Sequence, residues 1–222
     1  RKNNEKSLRF IFLSETIGSI SYLNKNLSKL KKNIIGGYNL TCIGDEKKYS
    51  YMLSKYGKSL SDRVLMNTFK ELNIKAKRYS FLKRGSDERQ YNSPGIDLPI
   101  SSIFRSKYKE YKEYHTSLDD FDLVTKKGIS ESYILCRKAI LNLSTKVIPK
   151  SKLTCEPNMG KRGLYSLVSS NKKTSIQKDL LNFLTYSDGS NDLNDISKYI
   201  CRNISETKKI LKILLKNNLV KI

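Results

Sequence analysis

Residues able to do hydrolytic chemistry stand at three separated points of this chain. Glu15 lies in Leu13-Ser14-Glu15-Thr16, Asp87 in Gly85-Ser86-Asp87-Glu88-Arg89, and the only histidine, His115, in Glu113-Tyr114-His115-Thr116. An aspartate and a histidine are complementary ligands for a borderline-soft ion such as zinc, and a glutamate beside them could take the proton of an attacking water. The spacing of Asp87 and His115 matches no compact zinc signature. Residue types alone therefore also allow a surface cluster in which Asp87 and Glu88 pair with Arg89, and an ordinary half-buried histidine.

Longer strings narrow the choice. Gly85-Ser86-Asp87-Glu88-Arg89-Gln90-Tyr91-Asn92-Ser93-Pro94-Gly95, followed by Glu113-Tyr114-His115-Thr116-Ser117-Leu118-Asp119-Asp120, resembles the aminopeptidase-like domain of bacterial proteins that carry a C-terminal winged helix, relatives of the co-catalytic di-zinc aminopeptidases. Gly160-Lys161-Arg162-Gly163-Leu164-Tyr165 is similar to an element that follows the catalytic body in the same family. The resemblance implies a zinc-dependent hydrolase of peptide or related amide bonds. Asp87 and His115 are then metal ligands, Asp119 orients the histidine, and Glu15 is the general base. Arg89 and Tyr91 contact substrate or orient the Asp87 loop. Where the family carries Glu-Glu-x-Gly, this chain has Glu15-Thr16-Ile17-Gly18, and threonine is a poor zinc ligand, so a full second metal site is in doubt. The family's first histidine and bridging aspartate come from a segment before the opening strand. With one histidine in the chain, the resemblance implies the C-terminal portion of a longer protein, which binds one or two zinc ions when complete and zinc weakly or not at all as it stands.

The elements that would position these groups alternate between strand-like and helix-like patterns. An apolar run at residues 7–14 reads as a strand covered on both faces and places Glu15 at its carboxyl end. A helix follows, then strands near residues 38–43 and 49–53, a helix at 61–72 with Ser61 as N-cap, and a strand at 77–82. Gly85-Ser86 and Ser93-Pro94-Gly95 punctuate an irregular loop around Asp87, and a strand at 98–104 and a helix at 130–143 complete the body. Tyr108, Tyr111 and Tyr114, three apart, fit one packed side of a turn. The fold class is α/β: a mixed-sheet, zinc-aminopeptidase-like sandwich over residues 1–147, a connector over 148–171, and a small winged-helix domain over 172–222. The tail has helices at 176–184, 193–200 and 205–217, the last opened by Ser205, and a wing strand starting near Leu219.

The formal charge of +22 invites a polyanion as partner. It is, however, spread evenly. Residues 172–222 hold 10 basic and 5 acidic side chains, against 33 and 16 before them, with no basic arm. The last helix offers four lysines and no arginine for base-edge contacts, so nucleic acid is a possible but not favoured partner. The rival readings are a basic nucleic-acid-binding module and a non-catalytic assembly protein of surface-polysaccharide biosynthesis, and a homo-oligomer is compatible with the sequence. No apolar run reaches the roughly 20 residues of a membrane span. The four scattered cysteines read as reduced, mostly buried thiols of a cytoplasmic protein.

Overall fold

The computed structural model describes residues 6–164 and 171–222. The chain divides into two compact units, residues 1–145 and 146–222.

The first unit is a mixed α/β domain. Its helices are α1 (Ile17–Asn33), α2 (Leu60–Glu71), α3 (Glu88–Tyr91) and α4 (Lys126–Ser144), and its strands are β1 (Gly37–Leu40), β2 (Tyr49–Met52), β3 (Ala76–Tyr79) and β4 (Ile100–Phe104). The sheet order is β1-β4-β2-β3. β1 runs parallel to β4 with Gly37 opposite Ile100, β2 runs antiparallel to β4 with Ser50 opposite Phe104, and β3 runs parallel to β2. β4 is central and buried along its whole length, as its continuous apolar and small residues require. Its side chains alternate between faces. Ile103 meets Leu65 and Phe69 of α2 and Leu135 and Ala139 of α4, whereas Ile100 meets Leu23 of α1 and Phe104 meets Met52, Tyr79 and Tyr108.

Several local expectations change. Residues 7–14 form no strand. No described strand lies beside them to share backbone hydrogen bonds, and Phe10 and Phe12 are 71% and 94% exposed. The N-cap of α2 is Ser59, not Ser61. Ser59 makes a reciprocal capping box with Asp62, each side chain accepting the other's backbone N–H. α4 begins earlier than expected, because Thr125 caps it by accepting from the Gly128 N–H. The stretch around Asp87 is not wholly irregular, since α3 starts directly after it.

Gly128 fixes how α4 crosses the loop after β1. A Cβ there would lie 2.1 Å from the Gly44 carbonyl oxygen, which is backbone and cannot swing away. Gly128→Ala is therefore expected to destabilise the chain by about 3 kcal/mol through forced backbone displacement. Chemical denaturation followed by circular dichroism checks this, and an unchanged midpoint would contradict the close approach.

In the second unit, α5 (Asn171–Thr185), α6 (Leu193–Tyr199) and α7 (Ile204–Lys216) surround Leu180, Phe183, Ile196, Leu214 and Leu219. α7 is opened by Asn203, whose side chain accepts from the Glu206 N–H, rather than by Ser205. Lys150–Ser151, within the expected connector, forms β5 and pairs antiparallel with β6 (Val220–Lys221). Tyr165 of the Gly-Lys-Arg-Gly-Leu-Tyr element and the rest of that connector to Ser170 lie outside the described residues. All four cysteines are free thiols, but Cys155 and Cys201 are exposed, not buried.

Candidate functional site

The site is built where α1 starts. Ile17 donates its N–H to the Glu15 carbonyl at 2.7 Å, and Thr16 sits between them at φ 62°, ψ −67°. This is a γ-turn of the rare, strained hand, and a β-branched residue at its centre costs on the order of 1–3 kcal/mol. Contacts from the Asp87 loop hold it in place. Thr16 N–H and Ser19 Oγ both donate to Asp87 Oδ1, at 2.7 and 2.8 Å, and Arg89 Nη2 donates to Thr16 Oγ1 at 2.9 Å. Placing a carboxylate at the amino end of α1 is favourable, because the free N–H groups of the first turn concentrate positive potential there. Asp87 Oδ2 receives no hydrogen bond among the described residues.

The Asp87 loop is anchored from below by its neighbour. Glu88 is only 1% exposed. Its Oε1 accepts from Gly85 N–H at 2.7 Å, Ser86 N–H at 3.0 Å and the Tyr108 hydroxyl at 2.5 Å, while Oε2 accepts from Asn39 Nδ2 at 3.4 Å. Burial, then the Glu88 carboxylate, raises the Tyr108 hydroxyl far above its ordinary pKa, so it remains a donor. The alternative surface pairing of Asp87 and Glu88 with Arg89 does not form among the described residues. Arg89 turns instead to the Ser86 carbonyl and to Thr16. Tyr91 lies half-buried at the end of α3. Its hydroxyl is pushed up to about 12 by burial and then by the negative charge of Asp87.

His115 is exposed and has φ 59°. Its ring stacks on that of Tyr114, with centroids 4.0 Å apart and planes 17° from parallel. Burial first, then the charge of Glu15 and of Cys42, raises the Tyr114 hydroxyl. The Asp119 carboxylate accepts from the Tyr111 hydroxyl at 3.4 Å, and the same hydroxyl lies 3.5 Å from Cys42 Sγ. No hydrogen bond joins Asp119 to His115 among the described residues. Behind this rim Lys107 is buried, its Nζ 3.7 Å from the centroid of the Tyr108 ring, and desolvation lowers its pKa.

Asp87 and Arg89 therefore meet Thr16, the neighbour of Glu15 in sequence, whereas His115 stacks on Tyr114 and no hydrogen bond joins it to Glu15, Asp87 or Arg89 among the described residues. An aspartate and a histidine are suitable zinc donors, but among the described residues no group of three or more His, Cys, Asp or Glu side chains is placed to hold a metal ion. Catalytic zinc takes three protein ligands, so these residues alone do not make a zinc site. Nothing in the sequence assigns a site role to Ser19, Glu88, Tyr108 or Cys42. Only the three-residue spacing of the tyrosines hinted that Tyr108 points inward.

A mixed α/β domain with this loop-and-helix site, followed by a small three-helix unit closed by a two-stranded ribbon, defines an α/β protein with a C-terminal winged helix. More particularly, the chain belongs to the family of the domain of unknown function DUF4910, which matches residues 1–146, and residues 147–222 match the winged helix-turn-helix family. A Clostridium acetobutylicum relative, described as a candidate polysaccharide biosynthesis protein with an aminopeptidase-like domain, is 36% identical over 201 residues. That match covers 86% of this chain and 44% of the relative. A crystal structure of a candidate peptidase from Clostridium acetobutylicum matches with a TM-score of 0.55 at 32% identity, covering 93% of this chain and 46% of that one. The chain thus spans somewhat less than half the length of either. Among the described residues no helix is long and apolar enough to cross a membrane.

Proposed function

We propose that this chain supplies the Glu15, Asp87 and His115 part of an aminopeptidase-like hydrolase that cleaves a peptide or related amide bond. The observation that carries the reading is the double acceptance by Asp87 Oδ1 from Thr16 and Ser19, which seats the Asp87 loop one residue from Glu15. The strained turn at Thr16 also favours it, since such strain persists where the surroundings fix a group for use. Glu15 accepts the proton of the attacking water and returns it to the leaving amine. Arg89 and Tyr91 present a guanidinium and a protonated hydroxyl beside Asp87, suited to hold the substrate's polar groups. Zinc, when bound, would polarise the carbonyl and acidify the water. Asp87 and His115 would be two of its ligands.

The test joins this chain to the portion of the Clostridium acetobutylicum relative that the match leaves uncovered. Zinc uptake is measured by equilibrium dialysis, and amide hydrolysis with an aminoacyl anilide. His115→Ala is expected to weaken zinc uptake about 100-fold or more, because an inner ligand matters at least as much as the groups that merely orient one. A folded joined protein that hydrolyses no anilide, and binds zinc no better than its His115→Ala variant, would remove the reading.

A further inference from the structure

We infer that Glu88 and Tyr108 form a positioning pair that sets the Asp87 loop against the segment carrying His115. The role is to fix two separately delivered groups in one geometry, and its catalytic meaning rests on the hydrolase reading above. Asp87 and His115 reach the site by different routes. β3 runs antiparallel to β4, so the carboxyl ends of the two strands point to opposite edges of the sheet. The segment after β3 carries Asp87 to Thr16, whereas the segment ending in His115 follows β4. No hydrogen bond joins Asp87 to His115 among the described residues, so something else has to hold the two routes in register.

Glu88 is placed to do this. One carboxylate oxygen gathers the N–H groups of Gly85 and Ser86 from one route and the Tyr108 hydroxyl from the other, and the second oxygen reaches Asn39 on β1. The Tyr108 hydroxyl also lies 3.3 Å from the Lys83 carbonyl, which strengthens its hold on the Asp87 route. The fit around the pair is tight. A Cβ at Gly85 would come within 2.8 Å of the Tyr108 ring, so residue 85 has no room for a side chain. From Tyr108 the packing continues outward, with ring centroids 6.5 Å apart to Tyr114, which stacks on His115. A carboxylate sequestered from water and satisfied by four donors holds its partners far more firmly than the same groups on the surface, because no solvent competes for them. Tyr108 is also edge-on to Phe104, which ties the pair to the central strand.

The experiment uses the full 222-residue chain. Because it contains a single histidine, the imidazole proton resonance of His115 is unambiguous at one fixed pH. Tyr108→Phe removes one oxygen and keeps the ring. Tyr38→Phe, which removes a half-buried hydroxyl of the same unit, hydrogen-bonded to the Ser61 carbonyl, is the control. In Tyr108→Phe, amide hydrogen exchange at Gly85 and Ser86 should quicken about tenfold, as loss of one buried hydrogen bond predicts. The His115 imidazole and Thr16 amide resonances should shift while the thermal midpoint falls no further than in the control. Glu88→Gln, which keeps an oxygen for the two backbone donors, should shift the same resonances less than Glu88→Ala. Should the Glu88 variants not fold, Tyr108→Phe decides alone. Unmoved His115 and Thr16 resonances in a folded Tyr108→Phe chain would overturn the inference. Shifted resonances would sustain the pair even if the joined protein of the previous section took up no zinc, in which case the hydrolase reading alone would fall.

Discussion

Asp62→Ala is expected to destabilise the first unit by about 4–6 kcal/mol, close to the whole stability of a typical domain. The Asp62 carboxylate is fully buried and accepts four hydrogen bonds. Oδ1 takes the Ser54 N–H and the Ser101 hydroxyl, each at 2.7 Å, and Oδ2 takes the Ser54 hydroxyl at 2.5 Å and the Ser59 N–H at 2.8 Å. The residue thus caps α2, closes the loop after β2 and ties both to β4. Alanine would strand the buried Ser54 N–H and the Ser54 and Ser101 hydroxyls and remove the cap partner of the half-buried Ser59 N–H, and an unmet buried donor costs more than a met one gains. Asp62→Asn keeps two lone-pair sites in place and should lose roughly half as much. Urea unfolding monitored by circular dichroism measures both variants. An alanine variant within about 1 kcal/mol of the parent would show that the network contributes little net stability.

Glu15→Gln is expected to lower amide hydrolysis by the joined protein roughly 100- to 10,000-fold, the usual contribution of a positioned general base. The substitution keeps the size of the side chain and removes its capacity to take a proton. Glu15 supplies only its backbone carbonyl to the γ-turn, so the turn and the Asp87 contacts with Thr16 should persist. Zinc uptake should stay within about threefold of the parent, because an acid-base group is removed and no ligand is. Steady-state rates with the anilide and equilibrium dialysis separate the two effects. Equal losses in both would make Glu15 a ligand or a structural residue.

What was legible in the sequence follows from which information is local. β1, β2 and β4 announce themselves as short apolar or aromatic runs between turn residues, and the longer helices by their periodic apolar positions, whereas the four-residue α3 reads as loop. The start of α2 was misplaced by two residues, although Ser59-Leu60-Ser61-Asp62 spells a serine with an acid three residues on, the pattern of a reciprocal cap. Residues 7–14 carry a strand's composition, but a strand also needs a neighbour, and composition says nothing of whether one is present. Glu88 was the instructive miss. In Ser86-Asp87-Glu88-Arg89 it looks like one more surface charge, and it is buried because a hydroxyl twenty residues later in sequence and an amide on β1 close over it. Asp87, by contrast, was found through the string around it, yet its contact with Thr16 spans 71 residues and could not be read from either stretch alone.

The sheet order also governs when the site can exist during folding. β4 is the last strand of the first unit along the chain and lies between β1 and β2, so β1 has no partner until residues 100–104 arrive. Pairings between such distant segments must overcome the entropy of closing a long loop before any contact rewards them, which makes them late events. Asp87 can be fixed against Thr16 as soon as α1 and α3 are made, but Tyr108 and His115 follow β4 in the chain. A ribosome-bound intermediate ending before residue 100 would therefore hold only half of this site, and the remainder would click into place in a single cooperative step once the central strand inserts.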